Sequence, residues 1–146
     1  MNRGQNSGVG NVHQNRDSLG KATETVKRFS SLKDLKGKDL VDIAKNVASY
    51  LAEGVTSTQM RKFHEHIVRF VVKAMAGKEK ISDIYLMNYY FAYETGRLSG
   101  RTKDLMGKYR SFMEIVTEKV QEESDLLRLR QLSEAIVAYH KLDARR

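Results

Sequence analysis

The 146-residue chain has no cysteine, no proline and no tryptophan. Without cysteine there is no disulfide, no thiol nucleophile and no thiolate metal site. Without proline nothing forces a break in a helical period. No apolar run approaches the ~20 residues that a membrane span requires, so no membrane partner is expected. The opening residues are rich in Gly, Asn and Ser and carry no apolar core of a secretory leader. The expectation is a cytoplasmic protein.

Catalytic constellations are equally scarce. His64 and His66 flank Glu65, but a spacing of two places them on different sides of a helix. They are not the i, i+4 zinc pair of His-Glu-x-x-His. The remaining histidines are His13 and His140, and a metal site built from His64, His66 and His140 is outweighed by a reading of them as surface imidazoles. Gly96, Gly100 and Gly107 are isolated glycines at helix ends or packing points, not a phosphate loop. No catalytic residue, no metal ligand set and no cofactor are expected, and the protein is read as not an enzyme.

What the chain does have is positive charge. Its 26 Lys and Arg exceed its 18 Asp and Glu, for a net charge of +8, which points to a polyanionic partner. Residues 1–38 hold eight of the cations against three acids, so the remainder is only mildly basic. A nucleic-acid face on that remainder needs charge segregated to one side. The run Glu114, Glu118, Glu122, Glu123, Asp125 gathers acids away from the rest.

The fold class reads as all-α, a compact bundle of about five helices. Residues 1–36 have few large apolar groups and read as a disordered or partly ordered basic tail, with room for a short nascent helix around Glu24 to Phe29; residues 37–146 read as the bundle domain. The helical period predicts helices over Lys38–Glu53, Thr56–Ala76, Asp83–Thr95, Lys103–Val120 and Ser124–Leu142. Gly54 is expected to stop the first, and Thr56-x-x-Gln59 has capping-box spacing. The third is apolar on nearly every side and is expected at the centre, with Tyr89 and Tyr93 in the core. Aromatic faces also invite a base-stacking reading, but the core-like spacing outweighs it. Tyr139 is expected in the core, with His140 and Lys141 turned outward. Gly107, inside the fourth helix, either permits close packing or loosens that helix.

Basic residues recur on the second helix as Arg61, Lys62, Arg69 and Lys73. The segment Arg97–Lys103 adds Arg97, Arg101 and Lys103 with two hydroxyls, beside a helix start whose free N–H groups favour phosphate. Three segments carry a resemblance: Gln59-Met60-Arg61-Lys62-Phe63, the tyrosine-rich run ending Ala92-Tyr93-Glu94-Thr95-Gly96-Arg97, and Glu134-Ala135-Ile136-Val137-Ala138-Tyr139-His140-Lys141. In this order they resemble the small helical subunit of the type III-A CRISPR effector, the Csm complex, over roughly Val41 to Lys141.

The resemblance implies a non-catalytic subunit. It implies stacking of copies into a minor filament beside the backbone subunits, with contacts to the large cyclase-like subunit. It also implies sequence-independent binding of crRNA and target RNA. Arg61, Lys62, Arg97 and Lys141 match its basic motifs, and the RNA-binding set is read as Arg61, Lys62, Arg69, Lys73, Arg97, Arg101, Lys103 and Lys141. Arg97 has an alternative structural role, anchoring a helix end or a carboxylate. The alternative function is a stand-alone helical homodimeric adaptor or scaffold without a nucleic-acid role. Copy number in the complex, and monomer or dimer in isolation, are not legible.

Overall fold

The computed structural model describes residues 18–144, and among these all regular structure is helical. Helix α1 covers residues 18–27. It is followed by α2 (Gly37–Leu51), α3 (Ser57–Met75), α4 (Leu86–Gly96), α5 (Gly100–Thr117) and α6 (Glu123–Asp143). Single 3-10 turns at Leu32–Asp34 and Ile81–Tyr85 complete the chain. The all-helical expectation holds, with six α-helices where about five were read.

The additional helix is α1, and it corrects the reading of 1–36 as a disordered tail over its second half. Leu19, Ala22 and Val26 recur at i, i+3, i+7 and are buried, as are Leu32 and Leu35 after them. Averaged over 36 residues, polar composition hides one short apolar row. Residues 1–17 of the predicted tail lie outside the described residues.

The core is one cluster from all six helices. Its axis is α6, packed along α2 and α3 and against the Leu32–Asp34 turn. Helix α4 packs chiefly on α5. The third predicted helix is therefore not central: α4 buries one row, Met87, Phe91 and Thr95, and turns Tyr85, Leu86, Tyr89 and Tyr93 outward. Tyr89 is 70% exposed and Tyr93 63%, against their expected place in the core. An all-apolar sequence does not decide how many neighbours a helix receives, and here it receives them on one side.

The ends of α3 follow the sequence closely. Thr56 and Gln59 form the expected reciprocal cap, Gln59 N–H to Thr56 Oγ1 at 3.1 Å and Thr56 N–H to Gln59 Oε1 at 2.9 Å. Gly77 ends the helix at φ +75°, with Lys78 N–H on Lys73 O and Gly77 N–H on Ala74 O, the paired bonds of a left-handed helix terminus. Gly54 serves differently. Its φ is not positive, but a Cβ there would meet Leu105 Cδ1 at 2.8 Å. It is a close-approach glycine that lets the α2–α3 loop touch α5.

Candidate nucleic-acid interface

The loop Glu53–Thr56 gathers one end of the bundle. From α5, Thr102 Oγ1 donates to Gly54 O at 2.6 Å and Arg101 pairs with Glu53. From α6, His140 Nε2 donates to Val55 O at 2.8 Å. From α4, Glu94 reaches Lys62 of α3 at 3.4 Å and Arg97 at 3.8 Å. The same end therefore holds the starts of α3 and α5 and the ends of α4 and α6. It carries Arg61, Lys62, Arg97, Arg101, Lys103 and Lys141. The positive ends of α3 and α5 meet the negative ends of α2, α4 and α6 there, so the helix dipoles do not make this end positive and its charge comes from the side chains.

Six of the eight sequence-predicted cations are brought together in this way. Arg69 and Lys73 are not. They lie two to three turns further along α3, about 12 and 18 Å of helix rise beyond Arg61. Both are exposed. They share a helix row with Lys62 and His66 at i, i+4, i+7, i+11, and that row faces α4.

The eight also divide by what they touch. Arg61, Arg69, Lys73, Lys103 and Lys141 are exposed and make no ion pair among the described residues. Lys62, Arg97 and Arg101 are tied to carboxylates. Arg97 lies within reach of a carboxylate, as its alternative anchoring role requires, but stays mostly exposed, and its guanidinium also lies 5.8 Å from the Tyr93 ring centroid. The Arg97–Lys103 segment is not a loop throughout, because α5 begins at Gly100 and places Arg101 and Lys103 in its first turn.

The histidines of the described chain do not stand free on the surface. His140 is buried, against its expected outward turn. Its bond to Val55 O pins the end of α6 to the start of α3, and the terminal Tyr-His-Lys motif so acquires a structural reason. Tyr139 is only half-buried, against its expected place in the core, with Lys45 Nζ 5.6 Å from its ring centroid. His64 Nδ1 lies 2.7 Å from Ser133 Oγ. His66 stacks on Tyr90 with centroids 3.6 Å apart and planes 9° from parallel. Burial, first of all, holds all three imidazoles below the ordinary value of 6.5. At His66 the neighbouring Arg69 and Lys73 push in the same direction.

The acidic run is partly consumed inside the fold. Asp125 is fully buried, Glu122 pairs with Lys33 at 3.0 Å and Glu114 with Arg110 at 2.7 Å. Among the described residues, Glu118 and Glu123 of that run are the ones left exposed without an ion pair. Among the described residues no three His, Asp or Glu side chains converge as they would on a metal ion, and no helix is long and apolar enough to cross a membrane.

The sequence pattern of the family described as Csm2 Type III-A matches residues 34–146. The chain belongs to the Csm2 type III-A family. Membership makes it a small subunit of the type III-A CRISPR complex, as the three motifs implied. The Csm2 match spans α2 to α6 and takes in all eight candidate cations. It leaves out α1, which belongs to the same core. No curated protein and no solved structure shows a significant match to the chain.

Proposed function

We propose that the chain is a non-catalytic, cytoplasmic subunit that lines the RNA path of the complex. In this reading copies of it stack as a minor filament along the backbone subunits and near the large cyclase-like subunit. The end of the bundle built around Glu53–Thr56 contacts the phosphates of crRNA and target RNA without regard to sequence. The observation that carries this reading is the coincidence of family membership with a single bundle end holding six basic residues. Phosphate contact needs no base edge, so sequence reading is left to base pairing. Glu118 and Glu123 leave an acidic patch for head-to-tail contact with a basic face of the next copy, a contact that repeats without closing.

The test is titration of the full-length chain with labelled single-stranded RNA across a salt series. Binding is expected to be weak and to fall steeply with salt through counterion release. Replacing Arg61, Lys103 and Lys141 together by Gln should lower the log–log salt slope by about 2, three contacts at ~0.7 each. A slope that the triple change leaves intact, or binding insensitive to salt, rejects this face.

A further inference from the structure

Between α3 and α4, away from the bundle end just described, lies a cleft of about 240 Å3. Phe70 of α3 and Met87 of α4 are buried beneath it, and the stacked pair His66–Tyr90 closes one wall. Tyr89 stands at its mouth, 70% exposed, with Leu86 beside it at 54%. Arg69 and Lys73 line the α3 side, and Glu79 and Asp83 the connecting segment. Neither Arg69 nor Lys73 makes an ion pair among the described residues, although two carboxylates line the same cleft. The His66 ring is held by packing, stacked on Tyr90 and edge-on to Phe91, and its buried Nδ1 has no hydrogen-bond partner among the described residues.

The features combine in one way that fits a particular ligand chemistry. The floor is apolar, with Phe70 and Met87, and one wall is the stacked His66–Tyr90 pair, which suits a planar ring. A tyrosine at the mouth offers a free aromatic face, and every nucleobase has a face to stack on it. The two cations lie on a helix row that begins at Lys62, at the proposed phosphate-contacting end, and runs about 16 Å along α3. A backbone tracked along that row arrives at the cleft. The carboxylates are unsuited to a phosphate but accept hydrogen bonds from exocyclic amino groups, as acidic side chains do from cytosine.

We infer that the α3–α4 cleft receives one unstacked base of the bound RNA, with Tyr89 stacking on it, Arg69 and Lys73 holding the phosphates beside it, and Glu79 and Asp83 favouring a base that carries an amino group. This rests on the RNA-binding reading above and adds to it a place where the protein touches a base. A purely phosphate-reading subunit has no use for a cationic cleft with an aromatic mouth.

The probe is a short single-stranded RNA carrying one 2-aminopurine, titrated with the full-length chain at low salt, with an all-uridine RNA as comparison. Stacking should quench the fluorescence of the bound probe. Tyr89→Ala should abolish the quenching and weaken binding about five-fold or more, the loss of one stacked base. Tyr89→Phe, which keeps the ring, should restore both. Asp83→Asn with Glu79→Gln should narrow the preference over the uridine RNA. Tyr89 is exposed, so unchanged circular dichroism in the Ala variant is expected and excludes a folding defect. RNA binding without quenching, or binding that Tyr89→Ala leaves unchanged, overturns the cleft while leaving the phosphate face standing. A Tyr89→Ala chain that binds RNA normally but fails to join the complex also overturns it, because a partner protein then fills the cleft. Wild-type chain that binds no RNA at low salt overturns both readings.

Discussion

Ser31 Oγ donates to Asp125 Oδ1 at 2.7 Å across 94 positions of sequence. The same oxygen accepts Lys33 N–H at 2.7 Å, and Oδ2 accepts Gln121 N–H at 2.9 Å and Glu122 N–H at 3.1 Å. One buried carboxylate therefore caps α6 and holds the segment that follows α1. Leu32 N–H on Lys119 O and the Arg128 guanidinium on Leu35 O secure the same seam. Burial pushes the Asp125 carboxyl up, but the Ser31 hydroxyl and the three backbone N–H groups more than offset it, leaving the group below the usual carboxylate range.

Removing the acceptor charge should be costly. Asp125→Asn is expected to destabilise by about 2–3 kcal/mol, since bonds to a charged group are lost and buried donors are left poorly paired. Ser31→Ala should cost about 1 kcal/mol. Because the two side chains share a bond, the double variant should lose less than the sum of the two. Denaturant melts of the three variants measure this, and strict additivity would mean that the bond contributes nothing.

Deletion of residues 1–36 should cripple the fold. It removes five core side chains, Leu19, Ala22, Val26, Leu32 and Leu35, and strips two partners from Asp125. Individual large apolar truncations cost about 2–5 kcal/mol, comparable with a whole domain's stability. The truncated chain should show a melting temperature lower by well over ten degrees, or no cooperative melt. An unchanged thermal melt would mean that α1 only rests on the surface.

These two cases show where the sequence is legible. Helices α2, α3, α5 and α6 are readable because each has a long apolar row, with caps such as Thr56–Gln59 and the stop at Gly77 on α3, while α4 is readable as a helix from its apolar run alone. Helix α1 is glimpsed only as a nascent helix near Glu24 to Phe29, and its extent and place in the core are missed because a three-residue row sits in polar surroundings. Asp125 reads as one of five solvated acids, and only its spacing to Glu122, with its backbone reaching back to it, hints at a cap. The tyrosines of α4 mislead because their hydrophobicity is real while their exposure is set by neighbours. The cations are legible as residues, but their sorting into paired and unpaired groups depends on Glu53 and Glu94, which approach through folding alone.

Stability should fall on mild acidification. The folded-state pKa values of His64, His66 and His140 are lowered, so the unfolded chain binds protons that the folded chain resists. Their contribution is fully present above about pH 6.5 and is lost as pH falls through the lower folded values. Asp125, also lowered, acts with the same sign at still lower pH. Melting temperature should drop between pH 7 and pH 5, and His140→Gln should flatten that drop while lowering stability at pH 7. A melting temperature that rises over that interval would contradict neutral buried imidazoles.

Two glycines should respond with opposite signs. A Cβ at Gly107 meets nothing within 4 Å, so this α5 glycine does not permit close packing. Gly107→Ala should stabilise by about 0.5–1 kcal/mol through helix propensity. Gly54→Ala puts a methyl 2.8 Å from Leu105 Cδ1 and should destabilise by about 1 kcal/mol as the contact is forced apart. Chemical denaturation of both variants checks the pair, and equal signs would contradict the packing described.

Glu94 restrains two of the cations that the motifs single out. Its side chain is 11% exposed, while Lys62 and Arg97 are mostly exposed. Such half-exposed pairs contribute only about 0–1 kcal/mol to stability, so their loss leaves the fold intact. Glu94→Gln removes one negative charge and releases both Lys62 and Arg97. If those side chains face RNA, affinity at low salt should rise about two- to five-fold and the salt dependence should steepen, because two more cations become available to phosphates. If they serve only to hold α4 against α3, RNA affinity should stay the same while the melting temperature falls slightly. Measuring both quantities on one variant separates a recognition role for Lys62 and Arg97 from an architectural one.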